Sequence, residues 1–265
     1  MNIPTFTVLG SGPTVLMLHG IGGGHLAFAP QVESFASAGY RAVAWDMPGY
    51  GRSAPIEPYT FKGLAASCIA LIEALAAPRP AAGITLVGHD IGGMVAQEVV
   101  ARRPDLVARL VLAGAAPAGG EGQGDAQPGF LAQRLASLEA GDSMEQLAPA
   151  LVPQLIGPGA LPEGVRLATH CMAQVPPATC RRALQALATF DRTADLSRIA
   201  VPTLLIAGEH DRAAPPPVMR KMSAAIARST YAEMAGVGHL LNLEAPDDFD
   251  ALVLRFLALP RQLLH

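Results

Sequence analysis

The stretch Ile84-Thr85-Leu86-Val87-Gly88-His89-Asp90-Ile91-Gly92-Gly93-Met94-Val95-Ala96-Gln97-Glu98-Val99-Val100 decides how this chain folds. Ile84 to Val87 is a short apolar run bounded by glycines, the pattern of a buried strand. Ile91 to Arg102 follows with helical spacing and stops before Pro104. The turn between them is sharp, and its central residue, Asp90, has glycines two places before and two places after it. A side chain at such a turn sits on strained backbone that tolerates only small neighbours. The turn also aims the amide of Ile91 into the space beside Asp90, where a helix N-terminus favours negative charge.

Upstream and downstream of this unit, short apolar runs alternate with longer helical patterns, which predicts a parallel sheet with crossover helices. Strands are expected at Thr14 to Leu18, Tyr40 to Trp45, Leu106 to Leu112, Thr203 to Ala207 and near Thr230 to Met234. Helices are expected at about Leu26 to Ser37, Phe61 to Ala76, Pro216 to Ala227 and Pro246 to Leu257. Only about a dozen residues precede the first buried strand, so a leading hairpin is expected to be shortened. From Pro117 to Asp195 no strand pattern is visible, and four helical segments appear. One of them begins with a capping box, Ser143 and Gln146. The expected organisation is a core formed by residues 1–116 and 196–265 with a helical lid, residues 117–195, inserted in it. The glycine-rich patch from Gly119 to Gly124 reads as a hinge into that lid.

Three further places carry chemistry. His19-Gly20 ends the first buried strand and opens the loop Gly20-Ile21-Gly22-Gly23-Gly24, where the amide of Ile21 can act as a second donor to an oxyanion. Gly208-Glu209-His210-Asp211 and Gly238-His239 follow the two late strands. Strand ends on one edge of a parallel sheet are where α/β proteins build their sites. The chain order of Asp90, Asp211 and His239 is nucleophile, acid, histidine, in which the acid orients the imidazole and the imidazole acts as base. Asp211 is preferred over Glu209 by position. His19, and Asp46 with the Gly49-Tyr50-Gly51-Arg52-Ser53 loop, read as structural hydrogen-bonders. Gly22, His25 and His170 are candidate pocket residues.

Composition limits the possible partners. Of the 265 residues, 51% are hydrophobic and 15% charged, enough apolar surface for one large core. A formal charge of −3 with scattered Lys and Arg offers nothing to nucleic acid or anionic membrane, so a small molecule is the expected partner. Cys68, Cys171 and Cys180 match no metal or redox spacing, and free thiols are expected. No His/Cys cluster has ligand spacing and no Gly-x-Gly-x-x-Gly follows a strand, so no metal or organic cofactor is expected. The N-terminus lacks a basic start and apolar run, and Pro and Gly interrupt every apolar stretch, which predicts a soluble cytoplasmic protein.

Taken together, His19-Gly20, Asp46 to Ser53, Gly88 to Gly93, Gly208 to Asp211 and Gly238-His239 resemble the α/β-hydrolase superfamily over nearly the whole chain. The compact helical insertion and the segment Val237 to Glu244 are most similar to the 3-oxoadipate enol-lactonase and small carboxylesterase branch. The resemblance implies an α/β-hydrolase fold and hydrolysis of a small, largely apolar ester or lactone. It departs at Asp90, where that branch has serine. Aspartate at this place resembles haloalkane and haloacetate dehalogenases and epoxide hydrolases. Those families differ in turn. Ile91 stands where haloalkane dehalogenases have a halide-binding tryptophan, and Gly22 stands where they commonly have proline. No tyrosine lies between Tyr59 and Tyr231 to protonate an epoxide.

The chemistry of aspartate sharpens the conflict. A carboxylate attacking an ester carbonyl gives an adduct that expels the better leaving group, the carboxylate itself, whose acid has an ordinary pKa of about 3.9. At a saturated carbon the same attack is productive. Three functions therefore compete. The first is an ester or lactone hydrolase in which Asp90 replaces serine, the second an Asp-nucleophile dehalogenase or epoxide hydrolase, and the third a non-catalytic binder. The retained Asp211 and His239 weigh against the third.

Overall fold

A computed structural model describes residues 3–76, 83–119 and 130–260. Seven strands form one sheet: β1 (Phe6–Leu9), β2 (Thr14–Leu18), β3 (Arg41–Trp45), β4 (Ile84–His89), β5 (Val107–Ala113), β6 (Thr203–Gly208) and β7 (Ser229–Met234). Their order is β1-β3-β2-β4-β5-β6-β7. β1 runs antiparallel to β3, and all the other pairs are parallel. The α/β-hydrolase fold expected from the sequence is thus present. Among the described residues ten helices accompany the sheet: α1 (Ala29–Ser37), α2 (Phe61–Ala76), α3 (Ile91–Arg102), α4 (Phe130–Glu139), α5 (Met144–Leu151), α6 (Pro162–Ala173), α7 (Pro177–Leu187), α8 (Pro216–Ala225), α9 (Leu241–Glu244) and α10 (Pro246–Ala258).

The alternation of side chains along each strand divides the interior in two. Leu16 and Leu18 of β2 face α2, α3 and α8, in one cluster with Trp45, Leu64, Leu71, Val95 and Met219. Val15 and Met17 point the other way, onto Phe35 of α1 and Phe249, Val253 and Phe256 of α10. Both faces are covered, which is why the central strands read as continuous apolar runs.

Four helices, α4 to α7, lie between β5 and β6, as many as the sequence suggested. α5 starts with the expected capping box: Gln146 N donates to Ser143 Oγ at 3.3 Å and Ser143 N to Gln146 Oε1 at 2.8 Å. Of the proposed hinge, Gly119 is described, while residues 120–124 lie outside the described residues. A Cβ at Gly119 would stand 2.4 Å from Leu187 O, so this glycine permits a close backbone approach.

The leading segment is short, as expected: it forms a single strand, β1, paired in register from Phe6 with Trp45 to Leu9 with Ala42. Phe6, Val8 and Leu9 of this edge strand are exposed, so no buried alternation marks it in the sequence. The helix expected from Leu26 begins at Ala29, after one 3₁₀ turn, because Pro30 has no amide hydrogen and suits a first helical turn.

Candidate active site

Asp90, Asp211, His239, Ile21 and Ile91 converge at the carboxyl ends of β2, β4, β6 and β7. Asp90 lies between β4 and α3 with φ 52° and ψ −125°. It is the one non-glycine residue with positive φ among the described residues, an energetically unfavourable conformation that surrounding contacts must impose. Its amide donates to Ala113 O at 3.1 Å. The glycines around it are sterically required: a Cβ at Gly88 would meet Gly93 Cα at 2.4 Å, and one at Gly92 would meet Leu18 O at 2.1 Å. β4, β2 and α3 thus press together at the turn and hold the Asp90 side chain in the site.

His239 Nδ1 is 2.9 Å from Asp211 Oδ2. The other oxygen of Asp211 accepts the amides of Ala213 at 2.7 Å and Ala214 at 3.0 Å. Burial pushes the Asp211 carboxyl up, but the His239 ring beside it and these hydrogen bonds outweigh burial and hold it below the usual carboxylate range. An ionised Asp211 fixes the proton of His239 on Nδ1 and leaves the Nε2 lone pair facing Asp90. Nε2 stands 3.9 Å from Asp90 Oδ1, beyond direct hydrogen-bond distance. On the other side of Asp90, Oδ2 accepts the Ile21 amide at 2.9 Å. The Ile91 amide has no hydrogen-bond partner among the described residues.

The remaining candidates are placed as follows. Gly22 lines the cavity, where a Cβ would stand 2.7 Å from Met172 Cε. His25 does not line it. Its amide and its Nδ1 both lie 2.9 Å from Asp46 Oδ1. His170 is also absent from the wall: it is exposed, with Nε2 2.7 Å from Gln174 Nε2. His19 is a structural hydrogen-bonder, with Nδ1 2.8 Å from Gly20 O and Nε2 accepting from Met47 N at 3.0 Å. Burial pulls its pKa down to about 4. Asp46 accepts from Thr5 Oγ1 at 3.0 Å, and Ser53 Oγ donates to the Asp46 carbonyl at 2.6 Å, so this loop is tied as expected.

Three residues escaped the sequence reading. His89 Nε2 lies 2.7 Å from the carbonyl oxygen of His239. Glu244 accepts the amides of Gly157 at 2.7 Å, Gly238 at 2.8 Å and Leu240 at 2.8 Å, which fixes the loop carrying His239. Asn242 lines the cavity. The available signal was weak: His89 stood inside the quoted turn, and Asn242 and Glu244 lay just past His239.

The cavity beside Asp90 measures about 140 Å³, and Met94, Leu155, Ala168, Met172 and Leu184 form much of its apolar wall. α6 and α7 close it from the side opposite the sheet. Cys68, Cys171 and Cys180 are buried and form no disulfide. Among the described residues, no group of three or more His, Cys, Asp or Glu side chains is disposed to hold a metal ion. No helix among them is long and apolar enough to cross a membrane.

The sequence pattern of the alpha/beta hydrolase family matches residues 15–252. The chain belongs to that family. Among alpha/beta hydrolase relatives, it is 29% identical to a provisionally named carbamate hydrolase of Pseudomonas syringae, over 93% of this chain and 94% of that one. A provisionally named non-heme bromoperoxidase of Mycobacterium tuberculosis has a solved structure with TM-score 0.84 at 26% identity, covering 97% of this chain and 96% of that one. The enol-lactonase of Burkholderia xenovorans superposes with TM-score 0.83 at 24% identity, over 96% of each chain, a likeness of fold.

Proposed function

We propose that this alpha/beta hydrolase acts on a small, largely apolar substrate through an alkyl ester formed on Asp90, with His239 as base, Asp211 orienting it and helices α4 to α7 serving as the lid of the substrate cavity. The observation that carries this reading is the carboxylate of Asp90 at the strained β4–α3 turn, with Oδ1 3.9 Å from His239 Nε2 and Oδ2 accepting the Ile21 amide at 2.9 Å. That hydrogen bond leaves Oδ1 as the attacking oxygen. In the first step Oδ1 bonds to a saturated carbon and the leaving group departs with the electron pair of the broken bond. In the second, His239 Nε2 takes a proton from water as the water oxygen attacks Cγ. Charge then develops on Oδ2, where the Ile21 amide already donates, with the Ile91 amide beside it. The alkoxide leaves with the proton from His239, and Asp90 retains the oxygen from water. The net reaction converts R–X and water to R–OH, X⁻ and a proton.

A second reading, hydrolysis of an ester, lactone or carbamate, is supported by the carbamate hydrolase relative and by the Ile21 amide, a donor that would serve equally at an oxyanion. In that reading Asp90 stands in place of a serine. One experiment separates the two. The His239→Ala protein is incubated with short bromoalkanes, halo-alcohols and epoxides, and peptides are mapped by mass spectrometry, with Asp90→Asn as the control for cysteine alkylation. An adduct on the peptide containing Asp90, absent in the control, is expected. No adduct from any of these substrates, together with p-nitrophenyl ester hydrolysis by the Asp90→Ser protein, would overturn the alkyl-ester route in favour of the second reading. No adduct and no esterase activity would overturn both.

A further inference from the structure

The cavity wall is mostly apolar, yet two of its polar side chains have their hydrogen-bonding character fixed from behind. His89 Nε2 is 2.7 Å from the His239 carbonyl oxygen, which can only accept, so Nε2 carries the hydrogen. His89 is buried, and burial first and the nearby His239 second bring its pKa down to about 4, so the ring is neutral and Nδ1 is a bare lone pair. Nδ1 has no hydrogen-bond partner among the described residues. It faces Gly20 from the same side as the nucleophile: a Cβ built on Gly20 would stand 2.9 Å from His89 Nδ1 and 2.8 Å from Asp90 Oδ2.

Asn242 is oriented by a longer chain. Gln31 Nε2 donates to Asp250 Oδ1 at 3.0 Å and to the Asn242 carbonyl at 3.1 Å, which makes Gln31 Oε1 the acceptor end. Asn242 Nδ2 then donates to Gln31 Oε1 at 3.1 Å and to Ala27 O at 2.7 Å. Both of its donors are used. Its Oδ1 is left without a partner among the described residues, on a side chain that lines the cavity and is 3% exposed. A ligand that donates a hydrogen to this cavity-lining side chain adds a bond that the protein does not make by itself.

We infer that His89 Nδ1 and Asn242 Oδ1 are a pair of substrate-binding acceptors that select molecules bearing an O–H or N–H group and reject carboxylates. Among the described residues the side chains of this wall include the Asp90 carboxylate and no Lys or Arg, so an anion meets that charge with no cationic Lys or Arg in reach, and the Ile21 amide is already taken by Asp90. The selectivity rests on the proposed use of this cavity as the substrate site. The substrate class it specifies is a small halo-alcohol, halo-amine or comparable molecule whose donor group lies near the carbon attacked.

Binding tests this without turnover. A cavity of about 140 Å³ matches the size, about 150 Å³, at which an apolar protein cavity accepts benzene. Phenol, aniline, fluorobenzene and benzoate are therefore titrated calorimetrically into the Asp90→Asn protein, which removes the carboxylate as a competing acceptor. Phenol and aniline are expected to bind at least tenfold tighter than fluorobenzene, with benzoate weakest. The preference is expected to shrink several-fold in the double variants Asp90→Asn/His89→Leu and Asp90→Asn/Asn242→Leu. Equal binding of phenol and fluorobenzene by Asp90→Asn, or preferred binding of benzoate, overturns the inference whether or not the double variants fold. Because no ester on Asp90 is involved, failure here leaves the alkyl-ester route standing, and failure of that route leaves this selectivity standing.

Discussion

Glu244 shows how much of the candidate site's geometry rests on a residue outside the cavity wall. Its two carboxylate oxygens accept three amides, from Gly157 in the helical insertion and from Gly238 and Leu240 on either side of His239. Burial raises its pKa despite these three bonds, so ionising it in place is costly and the amides are what make the charge tolerable. Glutamine has the same shape but one acceptor oxygen, and its amide group would face at least one of these N–H groups. The Glu244→Gln change is expected to lower stability by about 2 kcal/mol, read as the shift in a urea unfolding midpoint; an unchanged midpoint would remove Glu244 from this role. At this scale the sequence was half legible. Chain order and strand ends picked out Asp90, Asp211 and His239, and the structure places the three side by side. Glu244, His89 and Asn242 were missed because their roles depend on contacts between segments: His89 with His239, Asn242 with Ala27 and Gln31, and Glu244 with Gly157.

Among the elements, the β4–α3 turn couples local strain to global packing. The unfavourable backbone of Asp90 persists because α3 approaches β2 so closely that Gly92 has no room for a side chain. A Cβ there would lie 2.1 Å from Leu18 O and 2.7 Å from His19 O, backbone atoms that cannot rotate away. Gly92→Ala is therefore expected to destabilise the protein by about 3 kcal/mol or more and to displace the Ile21 amide from Asp90. Thermal unfolding checks the first part. A variant as stable as the parent would mean that β2 and α3 separate without cost. The two glycines beside the turn were readable because steric demand leaves a one-letter trace in the sequence. β1 left none: its stability comes from pairing with β3, and its apolar side chains stay exposed on a sheet edge. Likewise the periodicity that revealed four helices after β5 could not say which of their residues reach the cavity. It placed His170 and Met172 on the same helix, and the fold turned only Met172 to the wall.

At the scale of the whole molecule, the polar groups buried in its interior set the response to acid. His19 and His89 are both buried with pKa values near 4, well below the ordinary 6.5. Between these limits the unfolded chain protonates both rings and the folded protein neither, so the unfolded state binds more protons and stability falls as pH decreases. Glu244 and Asp250, raised by burial, act oppositely just above the ordinary carboxylate range, because there the folded state holds the protons. Asp46 and Asp211, held low, add stability above that range that is lost only on further acidification. The histidine contribution can be isolated by its slope. The urea-unfolding free energy, followed from pH 7 to pH 4.5, should depend on pH less steeply in His89→Gln than in the parent, by close to one proton near pH 5. One buried neutral histidine contributes on the order of 2 kcal/mol over that window. Equal slopes would mean that His89 takes up its proton in the folded protein. Its Nδ1 would then be a donor, and the cavity would favour the acceptor-bearing ligands that the neutral ring disfavours.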